Sequence, residues 1–507
     1  MPTHDDARER EVIETYSPAE ERFNARRRMV GLVVGPLAFL LLLVVPLPVP
    51  APAHRLAGIL ALVIVFWVTE ALPLPVTALM GPVLAVLLGI TPVRPAFTSF
   101  ADPVIFVFMG GFMLARAMFV HGVDRRIAYT GLSWRFIGSG PGRLLVVYGG
   151  ITAALSMWMS NTATTAMMYP IGLSIAAHLA RTGGTGAKQF ALAAMLMTAF
   201  AASIGGLGTP VGSPPNLIGI GMLERFTDVD ITFFQWMAIG VPAAAVMFAF
   251  LAVYFYLTGV RGVTLTEGST QMVRDELKKL GPVSRGQRNV LIAFGVTIVL
   301  WITPGFLALA GMGQTPFALA YAQAVPESVA AMIGAFLLFV LPIDWRAGRF
   351  TLTWDQALKI EWGIILLYGG GLALGQMAFT TGLAEAMGKG ITSWIPVPGT
   401  VALTVTFTGM AIVLSEATSN TAAANMIVPI AIAVALAAGV RPIEPALGAT
   451  LGASMGFMLP VSTPPNAIVY SSGYVPITAM MRYGLALDVV GFVVISALVL
   501  LLGPIVF

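Results

Sequence analysis

Apolar stretches long enough to cross a bilayer recur from residue 29 to residue 507, separated by short loops that carry Pro, Gly and charge. Segments of this length and spacing predict transmembrane helices rather than barrel strands. Spans are placed at 29–48, 57–71, 75–90, 103–122, 190–223, 233–258, 289–303, 327–343, 360–380, 446–472 and 485–507. Two further apolar regions, 143–180 and 400–438, are each interrupted at the centre by a polar tripeptide and read as re-entrant hairpins. The expected fold is an all-α membrane protein with about eleven transmembrane helices, two re-entrant helical hairpins and two broken helices.

Composition agrees with that class. Of 507 residues, 57% are hydrophobic and 10% charged, a balance that no soluble domain of this size needs for its core. The net charge of +4 is a topology signal and does not point to nucleic acid. Of the 28 Lys and Arg, the topology puts 22 on the cytoplasmic side, five outside (Arg55, Arg94, Arg225, Lys389, Arg441) and one, Arg116, within a span. This bias predicts a multi-pass inner-membrane protein with a cytoplasmic N-terminus, a retained first span after Arg26, Arg27 and Arg28, and an external C-terminus. Cysteine is absent, which excludes disulfides, thiolate metal sites and cysteine nucleophiles.

Aligned with itself, the chain pairs residues 57–258 with residues 289–507. The predicted organisation is a tail at 1–28, a first helix at 29–56, repeat one at 57–258 with hairpin 143–180, a cytoplasmic linker at 259–288, and repeat two at 289–507 with hairpin 400–438. Each half has five spans, an odd number, so the halves are expected to be inverted relative to one another. Gly110 and Gly111 pair with Gly369 and Gly370, and Ser160, Asn161, Thr162 and Pro170 pair with Ser419, Asn420, Thr421 and Pro429, at an offset of 259. At an offset of 250, Pro210, Pro214, Pro215 and Asn216 pair with Pro460, Pro464, Pro465 and Asn466. Proline pairs inside two apolar spans break both helices.

A broken helix in hydrocarbon leaves backbone groups without partners, so it survives only inside protein or beside a polar cavity. There its freed carbonyls attract cations and its N-termini attract anions. Ser156, Ser160 and Asn161, with carbonyls from GTPVGSPPN, supply neutral oxygens suited to a hard cation such as sodium. Ser415, Ser419 and Asn420, with carbonyls from LPVSTPPN, repeat the set. Asn161, Thr162, Asn420, Thr421 and Thr463 are then placed to hold the two ends of a small dianion. No Arg or Lys adjoins these motifs in the sequence, so dipoles and bound cations are expected to balance the substrate charge.

These residues resemble the divalent anion/sodium symporter family, the INDY-type di- and tricarboxylate transporters, over nearly the whole chain. The likeness is carried by the paired Ser-Asn-Thr motifs, the paired Pro-Pro-Asn breaks, FWVTEALPLPVTAL at 66–79 and LSEATSNTAAANMIVPI at 414–430. The resemblance implies a homodimer in the lipid bilayer with a scaffold and an elevator-like transport domain, carrying C4-dicarboxylates such as succinate, malate or fumarate. It implies one sodium at Ser156, Ser160, Asn161 and Gly212 and another at Ser415, Ser419, Asn420 and Ser462. Substrate is implied at Asn161, Thr162, Asn420, Thr421, Thr463 and Pro464. Ser415 and Ser462 stand where relatives can carry other small residues, and some relatives exchange dicarboxylates without sodium.

Ionisable groups within spans are Glu70, Arg116, Glu416 and Asp488. Arg116 is expected to snorkel to the cytoplasmic face, Glu70 to make a structural bond, Glu416 to shape the second motif, and His121 to sit at the interface. Gly110 and Gly111 are read as close-packing positions. A citrate or sulfate transporter is an alternative. An intramembrane enzyme is disfavoured by scattered histidines and the lack of an HExxH motif, and a proton-coupled antiporter by the lack of carboxylates at the breaks.

Overall fold

The computed structural model describes residues 18–134, 140–181, 186–227, 229–263, 268–393 and 399–507. The predicted tail over residues 1–17 and linker positions 264–267 lie outside the described residues. Nearly everything described is helical, because only a helix bonds its backbone groups within its own segment. Ten described helices are long and apolar enough to cross a membrane, or eleven if one bent pair counts as a span.

The first half runs α1 (Pro18–Val44), α2 (Ala51–Thr69), α3 (Leu74–Leu87), the short α4 (Val93–Thr98), α5 (Pro103–His121) and α6 (Val123–Leu132). The first hairpin is α7 (Pro141–Ser156) and α8 (Asn161–Arg181), the first broken span α9 (Ala187–Gly205) and α10 (Pro214–Phe226), and α11 (Phe233–Thr258) closes the half. A surface helix, α12 (Gly268–Lys279), leads to α13 (Arg285–Leu309). Next come α14 (Pro316–Ala324) and α15 (Glu327–Val340), bent by 62° at their junction. A two-stranded antiparallel turn, β1 (Pro342–Asp344) with β2 (Arg349–Phe350), precedes α16 (Trp354–Ala357), α17 (Trp362–Thr381) and α18 (Leu383–Thr392). The second hairpin is α19 (Thr400–Ala417) and α20 (Asn420–Ala437), the second broken span α21 (Ile443–Gly452) and α22 (Pro464–Tyr470), and α23 (Ile477–Val506) ends the chain.

Several boundaries depart from the sequence reading. Residues 51–56, assigned there to the first helix, open α2 instead, since Pro52 falls in the first turn where its missing N–H is not needed. Residues 18–28, assigned to the tail, already belong to α1, and Arg27 there pairs with Glu70 at 2.9 Å. Glu70 ends α2 with φ 48°, so the ion pair holds a backbone conformation unusual for a non-glycine residue. The arms of the second hairpin are 18 residues each, about 27 Å, so length alone does not distinguish them from spans.

The helices α6 and α18 were not anticipated. Each follows a span stopped by a left-handed glycine, Gly122 (φ 64°) or Gly382 (φ 82°), which lets the chain turn within one residue. The packing of the halves is reciprocal: α5 lies on α15 and α17 on α3, while α9 meets α22 and α10 meets α21. At the first pair, a Cβ on Gly110 would stand 2.6 Å from the Ala331 carbonyl carbon. At the second, a Cβ on Gly370 would stand 2.7 Å from that of Ala78. The close approach therefore matches Gly110 with Gly370, one residue beyond the literal sequence pairing.

Candidate functional site

The two hairpin tips and the two break loops meet around a cavity of about 320 Å³. Its wall includes Asn161 and Thr162 from the first tip, Asn420 and Thr421 from the second, and Thr463 and Pro464 from the second break. All six residues predicted to touch substrate are thus brought together. At ~30 Å³ per water, the space holds about ten water-sized groups, enough for a short molecule with a carboxylate at each end.

The hairpin and break helices begin at this wall, α8 at Asn161, α20 at Asn420, α10 at Pro214 and α22 at Pro464, and α3 and α17 also start there, at Leu74 and just after Glu361. Each helix start leaves backbone N–H groups unused within the helix and a positive partial charge at that end. Hydroxyls take up some of these donors. Ser160 accepts from Ala163 N at 3.3 Å, Ser419 from Ala422 N at 3.2 Å and Thr463 from Asn466 N at 3.3 Å.

The break loops are held by the asparagines of the two Pro-Pro-Asn segments. Asn216 Nδ2 donates to the carbonyls of Gly206 and Thr209, both at 2.8 Å. Asn466 Nδ2 donates to the equivalent carbonyls of Gly456 and Leu459, both at 3.0 Å. Each amide therefore ties two loop carbonyls three residues apart, and each Oδ1 is buried without a hydrogen-bond partner among the described residues. The sequence reading paired these two asparagines but assigned them no role. The signal that could have found it is a side-chain donor two residues into a helix that follows a break, where freed carbonyls need one.

At the first tip, Asn161's amide lies 2.8 Å from Ser156 Oγ, 3.0 Å from the Ala202 carbonyl and 3.3 Å from that of Gly212. With its nitrogen toward them it donates; with its oxygen toward them it accepts from the Ser156 hydroxyl, and its approach to the two carbonyls is favourable only with a cation between the oxygens. A Cβ on Gly212 would come 2.7 Å from the Gly206 carbonyl oxygen and 2.9 Å from that of Met157, so glycine is what lets three loop carbonyls crowd together. Ser156 is fully buried. This neutral oxygen set fits a hard monovalent cation. Ser160 lies apart from it, in the cavity wall, within hydrogen-bonding reach of Glu361.

The second tip repeats part of this. Ser415 Oγ lies 2.8 Å from both Asn420 Oδ1 and the Ala453 carbonyl. Ser462, however, turns its hydroxyl to Glu416, donating at 2.7 Å to Oε2 and lying 3.1 Å from the main-chain oxygen. Glu416 also accepts from Phe457 N at 2.5 Å and Met458 N at 2.8 Å, so it organises the second break loop as a structural acceptor. Asp488 of α23 is buried beside it. The first repeat has Met157 at the position of Glu416, and there Thr209 instead donates to the Met157 carbonyl.

Two features of the site were missed. Glu361, at the start of α17, lines the cavity, although a carboxylate before an apolar helix reads as an ordinary N-terminal charge. The expected absence of nearby cations also fails, because residues remote in sequence fold against the tips. Arg116 and Lys359 line a chamber beside Ser160 and Thr162, and Arg28 lines another beside Ser419 and Thr463. Arg116 therefore stands in the wall of the site's surroundings, with its guanidinium carbon 5.4 Å from the Phe119 ring centre. His121 has a structural place, with Nε2 2.6 Å from the Thr351 carbonyl.

Comparison with known proteins gives the chain its relatives. Residues 26–507 match the model of the sodium:sulfate symporter transmembrane region. The chain is 32% identical over 488 residues to the sodium-dependent dicarboxylate transporter SdcS of Staphylococcus aureus strain USA300, covering 94% of this chain and 92% of the relative. The same identity and coverage hold for SdcS of strains RF122 / ET3-1 and MSSA476. Among solved structures, that of the YdaH transporter from Alcanivorax borkumensis is similar with a TM-score of 0.56 at 13% identity, covering 90% of this chain and 99% of that one.

Proposed function

The chain belongs to the family of the sodium:sulfate symporter transmembrane region, and on that premise we propose that it is a secondary active transporter moving a C4-dicarboxylate with sodium across the inner membrane. The observation that carries the reading is the convergence of the N-termini of the hairpin and break helices and both Asn-Thr pairs on one cavity of about 320 Å³. Positive helix ends at both sides suit a molecule charged at both ends, such as succinate, better than a compact one. The name of the Staphylococcus aureus relatives supports both sodium and dicarboxylate. Family and relatives alike are described as symporters or transporters, and the intramembrane-enzyme alternative falls with that.

In this mechanism sodium binds first. Ser156, Asn161 and the Gly212 carbonyl hold one ion, and Ser415, Asn420 and the Ser462 carbonyl hold another, with Ser160 and Ser419 capping the helices that start there. Bound cations fix the orientation of Asn161 and Asn420, so that their helices present N–H groups and the Thr162, Thr421 and Thr463 hydroxyls to the two carboxylates. Glu361 adds a negative charge to the wall, which makes binding of the dianion without cations still less favourable. Coupling follows, since each charge lowers the cost of binding the other. The hairpins and broken helices then move as a block against α2–α5 and α13–α17, elevator fashion, in a homodimer whose N-terminus is cytoplasmic and C-terminus external.

The test is uptake of labelled succinate into proteoliposomes. An inward sodium gradient is expected to drive accumulation, and Asn161→Ala and Asn420→Ala are expected to abolish it while still inserting. Uptake indifferent to sodium removes the coupling. Wild-type uptake by both variants removes the site. Competition by excess unlabelled sulfate as strong as that by malate would favour a compact dianion instead.

A further inference from the structure

At the repeat offset of 259, Asp102 pairs with Glu361, and each stands one residue before the helix, α5 or α17, that carries the paired glycines. The two carboxylates have parted in use. Asp102 is spent on structure: it caps α5 by accepting from Val104 N at 3.0 Å, and it accepts from the Tyr368 hydroxyl at 3.0 Å. Glu361 holds the same N-cap position on α17 but makes no cap bond with its side chain. One methylene longer than Asp102, it is exposed and lines the central cavity. Among the described residues it is the one charged side chain in that wall.

Its place in the wall is off-centre. The tips contribute amides and hydroxyls to the cavity, while α3 and α17 contribute Leu74, Pro75, Ile364 and Leu367. Glu361 stands beside the first tip, within hydrogen-bonding reach of Ser160, the residue before Asn161 and Thr162. A ligand carboxylate held at Asn161 and Thr162 therefore brings its neighbouring carbon toward the Glu361 oxygens. An ionised carboxylate accepts hydrogen bonds and donates none, with about four lone-pair sites on its two oxygens. That capacity belongs to the carboxylate itself and stands whatever Arg116 and Lys359, in the adjoining chamber, are paired with. A methylene placed against it leaves acceptors unmet, whereas a hydroxyl or an ammonium on the same carbon satisfies them.

We infer that Glu361 is a specificity-determining residue that selects dicarboxylates carrying a hydrogen-bond donor on the carbon next to the carboxylate at the first tip, as in malate or aspartate, over unsubstituted succinate. This rests on the dicarboxylate reading above. The two tips meet the same pair of carboxylates in all three molecules, so they set affinity for the class and Glu361 discriminates within it. A site that hydrogen-bonds a ligand donor rejects the analogue lacking it, because its own polar group is then left unpaired. Malate offers a neutral donor and aspartate a charged one, and a charged donor gains more from a carboxylate.

The experiment titrates purified full-length protein, at saturating sodium, with malate, aspartate and succinate, and reads each half-saturating concentration from thermal stabilisation. Preferences are ratios taken within one preparation, so loss of folded protein cancels. In the wild type the succinate value is expected to lie about tenfold or more above that of malate, of aspartate, or of both. A preference for malate alone assigns the donor to a hydroxy acid, and one for aspartate alone to an amino acid. Glu361→Met, which removes the acceptor at similar volume, is expected to bring the ratio to within about twofold of one. Glu361→Gln keeps an acceptor without the charge and is expected to retain part of a malate preference while losing more of an aspartate one. Asp102→Asn, at the counterpart position, is expected to keep the wild-type ratio. Equal values for all three ligands in the wild type, or a preference that survives Glu361→Met, would overturn the assignment; so would an unchanged ratio with a shifted sodium dependence, which places Glu361 at a cation. A wild-type protein that none of the three stabilises would overturn the dicarboxylate reading itself, and this inference with it, before any variant is compared.

Discussion

Replacing Asn466 tests whether the break loops are held as the structure indicates. The side chain is fully buried, and its amide donates two hydrogen bonds, at 3.0 Å each, to the carbonyls of Gly456 and Leu459. Asn466→Ala removes both donors and leaves two carbonyls beside a small void. A buried acceptor deprived of its partner costs about 1–3 kcal/mol, so the pair comes to about 2–6 kcal/mol. Asn466→Asp keeps the volume but sets oxygen against oxygen, so it is expected to cost more than alanine. Thermal unfolding of purified protein in one detergent, across a sodium titration, reads both consequences. The expected order of stability is wild type, alanine, aspartate, with a half-saturating sodium concentration raised about tenfold or more in the alanine variant, as a shift of 1.4 kcal/mol already gives tenfold. Asn216→Ala is expected to behave alike, since its amide makes the same two bonds at 2.8 Å. If both alanine variants unfolded at the wild-type temperature with unchanged sodium dependence, or aspartate proved no worse than alanine, the loops would be held by something else.

Two further substitutions probe the packing that positions the site. Gly110→Ala puts a methyl 2.6 Å from the Ala331 backbone and is expected to destabilise by about 1–3 kcal/mol, with Gly370→Ala equivalent against Ala78; loss of monodisperse protein on gel filtration checks it. Tyr368→Phe removes a hydrogen bond to Asp102, at 3.0 Å, that also steadies the N-cap of α5. A loss of about 1.5–3 kcal/mol in unfolding experiments is expected, with sodium-driven uptake retained.

Glu416 and Glu361 show how unevenly a carboxylate in an apolar chain can be read. Glu416 stands next to a recognisable motif and is expected to shape it, and its oxygens accept two backbone N–H groups and a hydroxyl, which makes it a brace for the second break loop. Glu361 stands at an unremarkable helix start, yet it lines the cavity. Ser462 belongs with Glu416: the residue is expected at the second cation, and its hydroxyl is committed to that brace.

What the chain determined by itself is whatever depends on neighbours in sequence. Hydrocarbon forbids unpaired backbone, so long apolar runs become helices, and Pro-Pro pairs and polar tripeptides within them must become breaks and tips lining a polar space. Repetition of the breaks in the two halves then identified Asn161, Thr162, Asn420, Thr421 and Thr463 as one site, because a doubled defect in hydrocarbon survives only where both copies are covered. What tertiary structure alone decided is everything set by distance across the fold. Arg28, Arg116 and Lys359 are far from the tips in sequence and beside them in space, and the loop-binding amides of Asn216 and Asn466 show their purpose only once the carbonyls they meet are in place. Charge acts through space and hydrogen bonds through direction, and neither is written in the order of residues.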